Sequence, residues 1–210
     1  MFIILSQMTT HQSLRRVYDR LKAESPTWLT VSRMSESRLG KLIGGAGLSR
    51  RRVPQLQTIP QRLQRDFGEA TLEPLRLMET PAAERYLLSL PGVGPKTAKC
   101  VLMYSLGREV LPVDTHVQRV AVRLGLVPAS TRYSELHDAL ENVVPAVDRY
   151  AFHVNAVAHG RSVCVAPVPR CHLCRLRSLC RFAGRWRRPT RRDHRDRAGG
   201  EDFWLDTRKV

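Results

Sequence analysis

The stretch LPGVGPKTAKC, residues 90–100, joins two glycines and two prolines to a lysine. Pro95 suits the first position of a helix, where its missing N–H costs nothing. Gly92 and Gly94 permit positive φ and a close approach of backbone to a ligand. The first turn of the helix then offers N–H groups and a partial positive charge, which is an anion site suited to a nucleic-acid phosphate. Contacts from Gly92, Val93 and Gly94 would position a duplex without reading its sequence. Lys96 stands at the exit of the turn and Lys99 one helical turn later. By itself Lys96 reads either as a nucleophilic amine or as an exposed phosphate ligand, and Lys99 as a phosphate ligand only. Asp114, in VDTH, reads as the N-cap of a helix beginning at Thr115, a role that leaves room for catalysis. Cys164, Cys171, Cys174 and Cys180 follow the spacing C-x6-C-x2-C-x5-C. Four thiolates so close in sequence suit a tetrahedral site, and zinc and a [4Fe–4S] cluster are both chemically open. The fifth cysteine, Cys100, falls on a helix and reads as core.

These groups have to be held by helices. Leu14, Val17, Tyr18 and Leu21 recur at helical spacing, as do Ala98, Val101, Leu102 and Ser105, and Val117, Val120, Ala121 and Leu124. No alternating strand pattern is convincing. Pro26, glycines 44, 45 and 47, Pro60, Pro74, Pro81, Pro112, Pro128 and Pro145 punctuate the chain. The expectation is about eight or nine short helices with tight links. ERYLLSL (84–90) would be the first helix of a hairpin, PGVG its turn, and 95–107 its second helix. That second helix runs about 18 Å, and seven linking residues span up to about 23 Å, so Asp114 can return to face Lys96.

LPGVGPKTA followed by VDTHVQRVAVRLGL (113–126) resembles the helix-hairpin-helix DNA glycosylases of the HhH-GPD superfamily, the endonuclease III branch in particular. The resemblance runs over roughly residues 3–183. It implies an all-α fold of two helical lobes flanking a DNA-binding cleft. Residues 1–108 would be a helical barrel with the hairpin, and 109–183 a lobe with an iron–sulfur cluster loop. It makes Lys96 the nucleophile and Asp114 the catalytic carboxylate; His116 matches the motif but is given no chemistry. The cysteine spacing matches the family's cluster at all four positions, which implies [4Fe–4S] as cofactor. A nucleotide flipped from the duplex leaves a gap to be filled. The resemblance offers Gln7 or Met8 in LSQMTT as the plug and Leu48 in GLSRRR as the wedge, with Arg50, Arg51 and Arg52 on phosphates. Met8 stands where the family usually holds an amide. The family pattern also carries a further helix ahead of LSQ, so the chain begins inside the first barrel helix. PVDTHVQRVAVRLGLVP also resembles the plant 5-methylcytosine glycosylases.

The chemistry supports these residue types independently. Breaking an N-glycosidic bond builds positive charge on the sugar, which a carboxylate stabilises. An amine attacking C1′ forms an iminium that acidifies the neighbouring C–H, and β-elimination follows. A cation at the start of a helix meets the positive end of the helix dipole, so the turn that holds phosphate also disfavours the charged amine.

The composition agrees with a polyanionic partner. Lys plus Arg number 35 against 19 acids, a formal charge of +16 over 210 residues. The partner expected is double-stranded DNA carrying damaged bases or abasic sites, bound by a monomer. Arg170, Arg175, Arg177 and Arg181, interleaved with the cysteines, would touch phosphates. FIIL (2–5) is far too short to span a bilayer and lacks a signal-peptide n-region. The expected location is cytoplasmic and nucleoid-associated, where clustered cysteines imply metal or chemistry rather than disulfides. Residues 184–210, rich in Arg and poor in apolar groups, read as a disordered basic tail. The function expected is a base-excision-repair glycosylase with AP-lyase activity on damaged, oxidised pyrimidines. The alternatives are a monofunctional relative, such as the adenine glycosylases, which lack a lysine at the position of Lys96, and a non-catalytic iron–sulfur DNA-binding relative.

Overall fold

A computed structural model describes residues 1–6, 11–25, 27–44 and 49–185, the side chains of 11 and 49–51 excepted. The fold is all-α, with eleven α-helices and no strand among the described residues. They are α1 (Phe2–Ser6), α2 (His11–Glu24), α3 (Trp28–Ser32), α4 (Glu36–Ile43), α5 (Ser49–Phe67), α6 (Thr80–Leu88), α7 (Pro95–Leu106), α8 (Thr115–Leu124), α9 (Tyr133–Val143), α10 (Arg149–Ser162) and α11 (Arg181–Arg185). The expected stripes are the buried ones: Leu14, Val17 and Leu21 on α2, Ala98 and Leu102 on α7, and Val117, Val120 and Ala121 on α8.

The chain divides into two compact units, Met1–Pro112 and the residues from Val113 on. Residues 109–112 belong with the first unit because Val110 joins its core and Leu111 is fully buried. The boundary therefore follows Pro112 rather than residue 108.

In the first unit α5 is the spine. Pro60, a breaker by sequence, lies inside this helix, as does Pro54. Each internal proline costs about 3 kcal/mol. Burying Val53, Leu56, Ile59 and Leu63 returns about 1.5–3 kcal/mol apiece, which holds the helix through both. Pro81 likewise opens α6 rather than interrupting it, so the first hairpin helix begins at Thr80 and not at Glu84. α3 and α4 pack on α5, and α6 packs on α7.

In the second unit α8 and α10 are the closest pair. Gly160 of α10 makes this possible, since a Cβ there would stand 2.8 Å from the His116 Cβ. Gly125 ends α8 at φ +86°, with Leu126 N–H donating to the Ala121 carbonyl, a left-handed C-cap that favours glycine. The first two residues of the expected tail, Gly184 and Arg185, are helical in α11, and 186–210 lie outside the described residues. No helix among the described residues is long and apolar enough to cross a membrane.

Candidate active site

The hairpin turn is built from one left-handed residue. Gly92 takes φ +71°, which only glycine adopts freely. Gly94 is extended at φ −93° and ψ 177°, a conformation open to any residue, and serves as the N-cap of α7. The turn closes through Val93 N–H on the Leu90 carbonyl at 3.2 Å, and α7 starts with Ala98 N–H on the Gly94 carbonyl at 2.9 Å. Val93 is itself buried, so its N–H and side chain support the turn instead of offering a contact to DNA. No side-chain hydrogen bond caps the start of α7, which leaves its first turn suited to an exogenous anion.

Lys96 is the second residue of α7 and half-buried. Among the described residues its ammonium has no hydrogen-bond or ion-pair partner. Lys99 differs. It is 6 % exposed, and its Nζ stands 3.6 Å from Oε1 of Glu84 on α6. It ties the two hairpin helices together, and a phosphate contact is not its place. Arg52 is also corrected: it is 7 % exposed, its NH1 donates to Gln55 Oε1 at 3.2 Å, and burial lowers its pKa. Gln7, Met8 and Leu48 lie outside the described residues, and Arg50 lies in the first turn of α5 without a described side chain.

Asp114 is the N-cap of α8. One oxygen, Oδ1, accepts from both His116 N–H at 2.9 Å and Val117 N–H at 2.8 Å. Among the described residues Oδ2 has no partner, so one oxygen fixes the carboxylate and the other is available for chemistry. Behind it, Arg119 donates from NH2 to the Gly160 carbonyl and from Nε to the Cys164 carbonyl, both at 2.8 Å, with His116 Nδ1 3.0 Å away. Burial lowers the Arg119 pKa, the charge of Arg123 adds to this, and Cys164 and Asp114 oppose it.

The four cysteines line one cavity, walled by Val120, Leu124, Val163, Pro169, Phe182 and Ala183. Burial pushes the Cys171 thiol up, and the other three thiolates add to the shift, so the four groups lie within electrostatic reach of one another. Arg123 covers the site: its NH1 donates to Val165 O at 2.9 Å and to Cys164 Sγ at 3.4 Å, and its guanidinium stacks on Phe182 at 4.8 Å. His159 Nε2 is 3.5 Å from Cys174 Sγ, and burial lowers its pKa. Among the described residues no three His, Cys, Asp or Glu groups converge closely enough to hold one metal ion. A soft, all-thiolate donor set with apolar walls suits an iron–sulfur cluster by its chemistry. Arg170, Arg175, Arg177 and Arg181 are exposed; Arg170 also donates to Ser162 O, and the Arg181 stem lies against Gly125. Arg119, Arg123 and His159 escaped sequence reasoning. The i, i+4 arginine pair on α8 was visible, but nothing in the sequence names backbone carbonyls of a distant loop as its partners.

Residues 1–146 match the family described as "HhH-GPD superfamily base excision DNA repair protein". A putative DNA glycosylase of Arabidopsis thaliana is 34% identical over 161 residues, 76% of this chain and 54% of that protein. Endonuclease III of Bacillus subtilis is 35% identical over 139 residues, 66% of this chain and 59% of that protein. A DNA glycosylase/AP lyase of Arabidopsis thaliana is 27% identical over 179 residues, 77% of this chain but 13% of that protein. The chain thus spans a little over half the length of the first two and a small part of the third. A trapped endonuclease III–DNA covalent intermediate superposes with TM-score 0.76 at 28% identity, covering 88% of this chain and 82% of that one. A thermostable thymine-DNA glycosylase, 23% identical with TM-score 0.75, shares the fold.

Proposed function

We propose a function from one premise: the chain belongs to the HhH-GPD superfamily of base excision DNA repair proteins, in its endonuclease III branch. It is a DNA glycosylase with AP-lyase activity that acts on damaged, oxidised pyrimidines in duplex DNA. One observation carries this reading. Lys96 stands in the first turn of α7, directly after an uncapped hairpin turn, with no partner for its ammonium among the described residues. A structural lysine would resemble Lys99, buried and paired with Glu84.

The hairpin turn and the start of α7 bind a backbone phosphate through N–H groups. The neutral Lys96 amine attacks C1′ of the flipped nucleotide. The N–C1′ bond forms, the glycosidic bond breaks, and the base leaves with the electron pair and takes up a proton. Asp114, held by its cap bonds through Oδ1, stabilises the positive charge that develops on the sugar. The amine loses a proton, the ring opens, and an iminium links Lys96 to C1′. Loss of a C2′ proton then expels the 3′ phosphate, and water hydrolyses the iminium to free the lysine. Cys164, Cys171, Cys174 and Cys180 would hold a [4Fe–4S] cluster, which would supply a structural crosslink for the second unit. A polyanionic duplex as partner agrees with the +16 formal charge of the chain.

The test is borohydride trapping on duplex DNA containing an abasic site, with Lys96→Gln run beside the wild type. A covalent adduct from the wild type and none from Lys96→Gln is expected. Intact duplex binding without an adduct from the wild type refutes the lyase and leaves a monofunctional or purely binding role.

A further inference from the structure

α5 grips the hairpin at two points. Near its end, Arg62 NH1 donates to the Ser89 carbonyl at 3.3 Å, where α6 terminates. Near its start, the Gln55 carboxamide lies against Gly92. A Cβ on Gly92 would overlap the Gln55 amide nitrogen and stand 2.7 Å from its Cδ. The carboxamide is itself held, because Arg52 NH1 donates to its Oε1 at 3.2 Å. Arg52 and Gln55 share a helix face at i, i+3, and Val53 and Leu56 beside them are buried, which fixes the rotation of the helix.

We propose that Gln55 is a positioning residue: held by Arg52, its carboxamide braces the left-handed turn at Gly92 and thereby fixes where α7 presents Lys96. The proposal rests on the role given to Lys96 above. Three features point the same way. Gly92 is exposed, so within the turn only Val93 reaches the core. A left-handed residue is the weakest link in a short turn, since glycine has the most freedom to lose. Arg52 is buried almost completely with its charge, which is costly placement for a guanidinium that only decorated the surface. The brace also links the turn to the first turn of α5, which directly follows residues 45–48. A shift of that helix start would be felt at the hairpin.

The experiment uses Gln55→Ala, Gly92→Ala and the double variant of the full chain. Gln55 is half-buried and its loss leaves the core intact. Gln55→Ala is expected to melt within about 4 °C of wild type, the scale of one lost hydrogen bond. It is expected to bind abasic duplex within about threefold, yet to form the borohydride-trapped adduct about tenfold more slowly at saturating duplex. Gly92→Ala must push the carboxamide aside, so its slowing should be smaller in the Gln55→Ala background than alone. Wild-type trapping by Gln55→Ala, or rate effects that simply multiply, would overturn the proposal. If the wild type does not trap at all, the lyase reading fails on its own. The brace is then read from amide hydrogen exchange: faster exchange at residues 92–96 in Gln55→Ala supports it, and unchanged exchange removes it.

Discussion

Asp114 caps α8 through Oδ1 and is proposed to meet the sugar cation through its charge, and substitutions can separate the two roles. Oδ1 accepts two backbone N–H groups at the start of α8. Replacing the side chain by alanine removes both bonds and strands two donors of the first helical turn, a loss of about 1–2 kcal/mol for an N-cap. At about 2–4 °C per kcal/mol for a protein of this size, Asp114→Ala should melt about 2–8 °C below wild type. Asparagine keeps an acceptor oxygen at the Oδ1 position and is an equally good cap, so Asp114→Asn should melt within about 2 °C. The negative charge is lost in both. If that charge stabilises the developing cation on the sugar, both variants should excise a damaged base at least about 100-fold more slowly, the usual scale for one electrostatic group. Melting by circular dichroism and single-turnover base release on the same preparations provide the two readings. An Asp114→Asn variant that melts like Asp114→Ala refutes the cap argument. One that excises at wild-type rate refutes the charge argument.

The other expectations are narrower. Lys99→Met should lower the melting temperature, because it leaves Glu84 facing an apolar group; the salt slope of duplex binding should stay unchanged, whereas loss of a phosphate contact would reduce it by about one. Tyr86, whose hydroxyl donates to Asp66 Oδ2 at 3.0 Å, is pushed up to about 12 by burial and by that carboxylate. Its folded value lies above the ordinary value near 10, so the stability it contributes is complete below about pH 10 and lost as pH rises towards 12. A spectrophotometric tyrosine titration with Tyr86→Phe as reference should show one tyrosine ionising late, and a missing late step counts against it. Replacing Cys174 by alanine should abolish bound iron and inorganic sulfide, present in about equal amounts in the wild type, and should lower stability; bound zinc without sulfide would overturn the cluster.

Local chemistry was legible in the sequence where one short stretch determines it. The proline and glycines of LPGVGPK announce a turn into a helix, and Asp114 announces an N-cap, because each depends on backbone groups within a few residues. The helical class was legible for a similar reason: apolar side chains at 3.6-residue spacing on α2, α7 and α8 point one face inward. Proline at 60 misled because its local cost is fixed while the gain from the face it sits beside depends on α3 and α4 packing there. The lysine and arginine readings failed in the same direction. By sequence Lys99 and Arg52 read as surface cations, since a cation in a basic chain next to a phosphate-binding turn is expected to meet solvent. Whether such a residue is buried depends on a partner from another helix, Glu84 in one case and the packing around Gln55 in the other.

This asymmetry bears on how the site works. The two groups proposed to react, Lys96 and Asp114, are the ones whose local sequence defines them. The groups that hold them, Gln55 at the hairpin and Arg119 behind Asp114, are defined by contacts across 37 and 45 residues of chain, counting from Gln55 to Gly92 and from Arg119 to Cys164. Arg119 makes the point sharply. Its three contacts reach α10, the loop at Cys164 and His116 of its own helix, so one guanidinium fixes the helix whose first turn orients the carboxylate. A lysine could not replace it, because a single ammonium cannot reach two carbonyls on different elements with a planar fork. On the proposed roles, preorganisation of the charge that would meet the transition state thus depends on residues that no motif marks.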